Sequence, residues 1–343
     1  MTIRRAVLAL GAALMLAVAG CGGDDEETAN GGGASGQEER PIRVGLVTDV
    51  GGLNDRSFNS LANEALERAK KELGIDGRAV TSDANSDYVP NLSSLAQQRY
   101  DLIIAVGFLM AEATNTVAKR FPEQNFAIVD VSQPTLPDKP ANVQGLIFKE
   151  NEAGYLAGTL AALYAKDNNI DTISSVGGQK IPPVDGYIAG YQAGAKAVDE
   201  GITTLNAYSQ DFVDQAKCKE LALNQIQRGS GIVFQVAGQC GLGALDAAKE
   251  NDKLGIGVDK DQAFLGPHIL TSAMKAVDTA VYDAIRSVQQ GNFQAGGDRV
   301  FDVKSGGVAL GKVQAGGEQY QEQVDKVEQQ IAAGEIDIPS TVE

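Results

Sequence analysis

Short, nearly continuous apolar runs alternate with longer stretches whose apolar residues recur every three or four positions, and this alternation governs what the chain can fold into. The runs 43–48 (RVGLVT), 101–106 (DLIIAV), 126–130 (FAIVD) and 143–148 (VQGLIF) are rich in β-branched residues. Helical spacing fills 57–73, with Phe58, Leu61, Ala65, Leu66, Ala69 and Leu73 ending at Gly74, and recurs at 110–120. A second block repeats the rhythm, with helices expected at 152–166, 185–199, 213–227 and 241–250 and strands at 172–176, 203–208, 231–236 and 254–258. Strands apolar throughout and separated by helices belong to buried parallel sheets built of βαβ units. Two such blocks predict an α/β fold of two doubly wound, parallel-sheet lobes. Beyond residue 260 there remain strands at 269–273 and 299–304 and helices at 276–290 and 317–334, too few for a third domain. The chain is therefore expected to return to each lobe in turn, through a hinge of several crossing strands. Lobe 1 is expected to hold 41–148 plus about 262–300, and lobe 2 to hold 149–261 plus about 301–343. A hinge of this kind favours opening and closing about a ligand.

The first twenty residues read as an export signal. Arg4 and Arg5 precede an apolar and small-residue run from Ala6 to Gly20. That run is shorter than the roughly 20 residues a membrane-spanning helix needs, but it suits a signal core. It ends in Val18-Ala19-Gly20-Cys21, which resembles a bacterial lipobox and makes Cys21 the expected site of lipidation. Residues 22–40 (GGDDEETANGGGASGQEER) carry seven charges and nothing larger than Thr that could pack in a core. A segment so poor in apolar area is expected to be a disordered tether. The expected location is the extracytoplasmic face of the cell membrane.

The formal charge is −16, and loss of the signal with its two arginines makes it −18. An acidic body argues against nucleic acid and against docking on anionic lipid, both of which depend on Lys and Arg. Membrane attachment is thus left to the lipid. With Cys21 acylated, Cys218 and Cys240 remain either as a disulfide, which an oxidising setting permits, or as two buried thiols. The sole histidine, His268, offers no HExxH or Cys/His metal set and little scope for a Ser-His-Asp triad.

Ligands of open α/β sheets sit beyond the carboxyl ends of the strands. There the sequence places Asp49 with Gly51 and Gly52, Asp130, Gly177 and Gly178, Gly238, and Asp259 with Asp261. Glycines allow close backbone approach, and acids supply acceptors. Enzyme signatures are weak. Gly306 to Val313 (GGVALGKV) fits GxxxxGK but lacks the following Ser or Thr, so a turn between late strands is the better reading. No GxGxxG opens the first helix. Asp49 and Asp55 could act as an acid/base pair, but Asp55 reads as an N-cap for the helix from Ser57. No catalytic residues, metal or cofactor are assigned.

Several of these same segments carry a resemblance. VTDVGGLNDRSFN (47–59), YDLIIAVGF (100–108), VAKRFPEQNFAIVD (117–130), EAGYLAGTLAA (152–162) and VGGQKIPPVDGYIAGYQAGAK (176–196) resemble the Bmp/PnrA-like family. So do VFQVAGQCGLGALDAAK (233–249), IGVDKDQ (256–262) and ILTSAMK (269–275), and the blocks run in order across essentially the whole body. Members of that family are substrate-binding lipoproteins of ABC transporters, and some bind purine nucleosides. The resemblance implies a type I periplasmic-binding-protein-like fold, an ABC permease as partner, and a monomer anchored by its lipid.

It also implies a ligand set. Phe58 and Phe212 would clamp a flat base from opposite lobes, Asp49 and Asp130 would accept from the purine edge, and Asp259, Lys275 and the backbone of Gly238 would hold the ribose. Lys275 is expected beside Asp259, offsetting its charge. Tyr208 or Asp211 could replace Phe212 under a shifted alignment, and Asp261 could replace Asp259. Val50, where a polar side chain could add a base contact, leaves base selectivity open. Competing readings are another flat aromatic such as a flavin, a sugar, or an envelope lipoprotein with a vestigial cleft. A nucleoside hydrolase is the enzymatic alternative.

Overall fold

The computed structural model describes residues 40–342. The signal, the lipobox with Cys21 and most of the tether lie outside the described residues. The first sheet begins with β1 (Arg43–Thr48), whose last five residues are buried. Helix α1 (Phe58–Leu73) turns Leu61, Ala62, Ala65, Leu66 and Ala69 inward and stops at Gly74, whose φ of 67° gives the left-handed cap that glycine adopts without strain. There follow β2 (Asp76–Val80), α2 (Tyr88–Gln97), β3 (Leu102–Val106), α3 (Ala111–Arg120), β4 (Phe126–Val129) and β5 (Val143–Phe148). β2 and α2 are elements that periodicity did not disclose. β2 is DGRAV, half exposed at the sheet edge, so it lacks the apolar run that marks a central strand.

The chain then crosses to the second lobe through α4 (Glu150–Asp167), β6 (Thr172–Gly177), α5 (Pro182–Val198), β7 (Thr203–Tyr208), α6 (Gln215–Gln227), β8 (Ile232–Val236), α7 (Gly238–Glu250), β9 (Leu254–Asp259) and β10 (Ile269–Lys275). It returns through α8 (Val277–Gln289) and β11 (Gly297–Phe301), and ends in β12 (Val308–Leu310) and α9 (Gln321–Ala332). The sheets run β11-β5-β4-β3-β1-β2 and β12-β10-β9-β8-β6-β7. All pairings are parallel except that of the short β12 with β10. The central strands β3 and β8 are wholly buried, which is why both read as unbroken apolar runs.

One expectation needs correction. The segment 262–300 does not go to the first lobe as a block: β10 pairs with β9 and β12 in the second sheet. Only after Lys275 does the chain cross back, so that α8 packs on α1 and β11 on β5. The apolar run ILTSA could fill a central place in either sheet, and its own residues do not specify the partner.

The three crossings, at 149, at 276 and at 302–307, are stitched together. Lys149 N donates to Phe301 O, Ala276 N donates to Gly307 O (both 2.9 Å), and Val303 N donates to Glu152 Oε2 at 2.7 Å. The rings of Phe148 and Phe301 stack at 5.0 Å. Beside this hinge α4 and α5 meet almost backbone to backbone. A Cβ on Gly154, Gly158, Gly190 or Gly194 would fall 1.9–2.1 Å from a carbonyl oxygen of the opposite helix. Both helices carry glycines four apart, so each presents one bare stripe to the other.

Candidate functional site

The strand ends of the two sheets line one shared cleft, with about 580 Å³ of space counting the part open to solvent. From the first lobe come Asp49 and Gly51 after β1, Gly107 and Phe108 after β3, Asp130 after β4, and Asp55, Phe58 and Asn59 at the start of α1. From the second come Pro183, Val184 and Tyr187 on α5, Phe212 after β7, Gly238 and Gln239 opening α7, and Asp259 and Lys275 ending β9 and β10. The seven residues singled out in the sequence (Asp49, Phe58, Asp130, Phe212, Gly238, Asp259 and Lys275) thus converge on one space. Asp261, Tyr208 and Asp211 have other employment. Asp261 accepts from Ala263 N and Lys312 N, Tyr208 hydroxyl donates to Asp185, and Asp211 accepts from Val213 N, Asp214 N and Lys217 Nζ.

Each wall is held from behind. Asp55 accepts from the amides of Ser57, Asn59 and Ser60 at 2.7–3.0 Å, capping the first turn of α1 and so fixing Phe58. It does so from two positions before the N-cap Ser57, whose own side chain caps nothing. Across the cleft, Phe212 lies against Gly178, where a Cβ would come 2.2 Å from its ring. The Phe212 carbonyl accepts from Cys240 N at 3.0 Å, and Cys240 is joined by a disulfide to Cys218 on α6.

Asp130 and Asp259 occupy equivalent places, each at the end of the third strand from its sheet edge, and both are left-handed, with φ of 70° and 61°. Asp tolerates this conformation better than most residues. Such backbone persists only where the surroundings fix it, and it clusters at functional sites. Asp259 accepts from Ser57 Oγ at 2.7 Å and from Tyr187 hydroxyl at 3.3 Å. The Ser57 bond joins the two lobes.

Lys275 offsets the charge of Asp259 as expected, but its direct partners are two other carboxylates. Its ammonium lies 2.6 Å from Asp130 and 2.8 Å from Glu150, and all three side chains are nearly inaccessible. It reaches Asp259 through its field and not through a bond. The physical reason is charge balance at a crossover: Glu150 opens α4 and Lys275 closes β10, so the returning chain brings the cation between two carboxylates. One oxygen of Asp130 is accordingly taken by Lys275. The ammonium also sits 5.1 Å from the Phe58 ring centroid and 4.9 Å from that of Phe148, within cation–π range.

Burial dominates the electrostatics. Desolvation pushes Asp49 up to about 6, although Asn59 and Gly51 donate to it. It pushes Asp259 up to about 6 against the pull of Lys275 and Ser57, and Glu150 up to about 7 against Lys275. Burial by itself would lower Lys275, but Asp130, Glu150 and Asp259 overturn this and raise it, so it stays charged. The cleft therefore presents hydrogen-bond acceptors between aromatic walls, with a single cation already engaged.

Sequence reasoning missed Asn59, Glu150, Tyr187 and Ser57. Asn59 and Ser57 lie inside the quoted DRSFN block, so only their roles went unread. Glu150 looks like any acid in a first helical turn, and Tyr187 like one more core aromatic on a helix. Neither carries a signal that sequence alone could raise above those ordinary readings.

Comparison with known proteins gives consistent results. The family model described as "ABC transporter substrate-binding protein PnrA-like", Bmp, matches residues 42–342. The "ABC transporter nucleoside-binding protein BmpA" of Lactococcus lactis subsp. cremoris (strain MG1363) is 36% identical, over 98% of each chain. An uncharacterized lipoprotein of Pyrococcus abyssi (strain GE5 / Orsay) is 34% identical, over 87% of this chain and 74% of its own. Among solved structures, an ABC transporter solute-binding protein from Aeropyrum pernix K1 superposes with a TM-score of 0.79 at 29% identity, covering 88% of this chain and 94% of that one.

Proposed function

The chain belongs to the Bmp family of PnrA-like ABC transporter substrate-binding proteins, and from that premise we propose that its ligand is a purine nucleoside held for delivery to a permease. As a member of that family it is a solute-binding protein and not an enzyme. The observation that carries the nucleoside reading is that Phe58 and Phe212, one from each lobe, line the same cleft as the buried carboxylates Asp49, Asp130 and Asp259. A flat base between them gains contact with both rings only when the lobes close, so stacking at about 1–3 kcal/mol per base drives closure. Asp49 reads the base edge, and Asp259, with Lys275 and the Gly238 backbone, receives the ribose hydroxyls. A site built to bond those hydroxyls leaves its acids unpaired with a ligand that lacks them, and so rejects it. The lactococcal relative's name, a nucleoside-binding protein, supports the same class.

Acylation of Cys21 anchors the protein to the membrane from outside. The lipoprotein naming of the Pyrococcus relative supports the anchor. Differential scanning fluorimetry tests the ligand: guanosine, inosine or adenosine raises the melting temperature, and free ribose does not. An equal shift with ribose alone would sink the stacking argument, and a visible absorbance band in the purified protein would point to a flavin instead.

A further inference from the structure

Asn59 is buried, at 2% exposure, and lines the cleft wall next to Phe58 in the first turn of α1. Its Nδ2 donates to Asp49 Oδ1 at 2.7 Å, and its Oδ1 is buried with no hydrogen-bond partner among the described residues. An orphaned buried carbonyl costs about 1–3 kcal/mol, so it calls for a donor from elsewhere. The amide cannot turn round to escape this. Asp49 Oδ1 already accepts from Gly51 N at 3.1 Å, and an ionised carboxylate has no proton to offer, so Asn59 must present its NH₂ to Asp49 and its oxygen elsewhere.

Both hydrogen bonds that Asp49 makes among the described residues fall on Oδ1. Its Oδ2 packs over Gly107, where a Cβ would stand 2.7 Å away. Gly107 has φ of 116°, so both its conformation and its bareness keep that oxygen in place at the cleft. Beside Phe58 there are thus two acceptors, Asp49 Oδ2 and Asn59 Oδ1, that accept no hydrogen bond among the described residues.

We propose that Asn59, acting with Asp49, is a specificity-determining residue that selects purines presenting adjacent N–H donors, so that guanosine binds more tightly than inosine and inosine more tightly than adenosine. This rests on the nucleoside reading above. Guanine offers N1–H and the N2 amine side by side, and inosine keeps N1–H alone. Adenine places the lone pair of N1 where a donor is needed, so acceptor meets acceptor.

Calorimetric titration of the full folded body with the three nucleosides gives the ranking directly. Guanosine is expected to exceed adenosine by roughly 10- to 100-fold, the scale of one good two-point base contact. On the unaltered protein, N1-methylguanosine should lose at least tenfold relative to guanosine, which tests the donor without any mutation. Asn59→Leu, close in volume and without polar atoms, should bring guanosine and adenosine to within about threefold of one another. Binding of all three nucleosides with equal affinity, or preference for guanosine unchanged in Asn59→Leu, overturns this inference and leaves the nucleoside reading standing. Binding of none of them overturns both.

Discussion

A carboxyl group taken from water into an apolar cleft shifts toward its neutral form, and its ionised form returns only where donors meet it. Asp49 and Asp259 show this, both lifted to about 6 by burial from an ordinary value near 3.9. Because the native values lie above the unfolded ones, the native chain holds more protons between about pH 4 and pH 6. Ligand-free stability from these groups therefore declines as pH rises through that window, and Glu150, lifted to about 7, extends the decline. Nucleoside binding carries the opposite sign, since the donors of base and ribose need ionised acceptors. Affinity measured by calorimetry is expected to fall by roughly tenfold at pH 5 for each carboxylate that must be ionised. Titrations near pH 6 in buffers of different ionisation enthalpy should show net proton release on binding. A flat affinity profile from pH 5 to pH 8 would falsify the assignment of these two acids as ligand acceptors.

Between elements, the contacts that matter are those that hold a cleft wall still. The glycine stripes of α4 and α5 set the separation between Glu150 and Tyr187, one on each helix. The Cys218–Cys240 disulfide ties α6 to the start of α7. That start supplies Cys240 N to the Phe212 carbonyl and, two residues earlier in the cleft lining, Gly238 with its left-handed φ of 55°. Replacing both cysteines by alanine is expected to lower unfolding stability by about 2–4 kcal/mol, read from a urea transition. It should also weaken nucleoside binding at temperatures where the variant is still folded, because the loop carrying Phe212 loses its buttress. A stability loss with affinity intact would confine the disulfide to the scaffold.

At the scale of the molecule, the two lobes touch on one side of the cleft through a short seam. Ser57 donates to Asp259, Gln262 Nε2 donates to Arg56 O at 3.3 Å, and Lys260 pairs with Glu64 at 2.6 Å. All three join the segment before and within early α1 to the segment from the end of β9. The last pair is solvent-exposed and contributes at most about 1 kcal/mol, and a ligand touching both walls adds to what the seam supplies. Small-angle scattering is expected to show a smaller radius of gyration on adding guanosine, and Phe212→Ala should remove that change while keeping the fold. Compaction of equal size in Phe212→Ala would separate closure from stacking.

By itself the sequence determined the layers and the chemistry available to them. Strands such as LIIAV and IVFQV are buried on both faces, so their whole composition reports their place, and the polar residues that follow them had to lie at the strand ends where ligands bind. The same logic made Asp49 and Asp259 legible, whereas Phe58 was read through the family resemblance. Tertiary structure alone decided which sheet took the run from Ile269 to Lys275, and hence which carboxylates Lys275 would meet. It also decided that Tyr208 was spoken for by Asp185, that Asp261 faced Lys312, and that an oxygen of Asn59 was left without a partner. A residue's burial pattern is a local property written along the chain, whereas the pairing of buried charges and amides depends on which distant strand end arrives beside it.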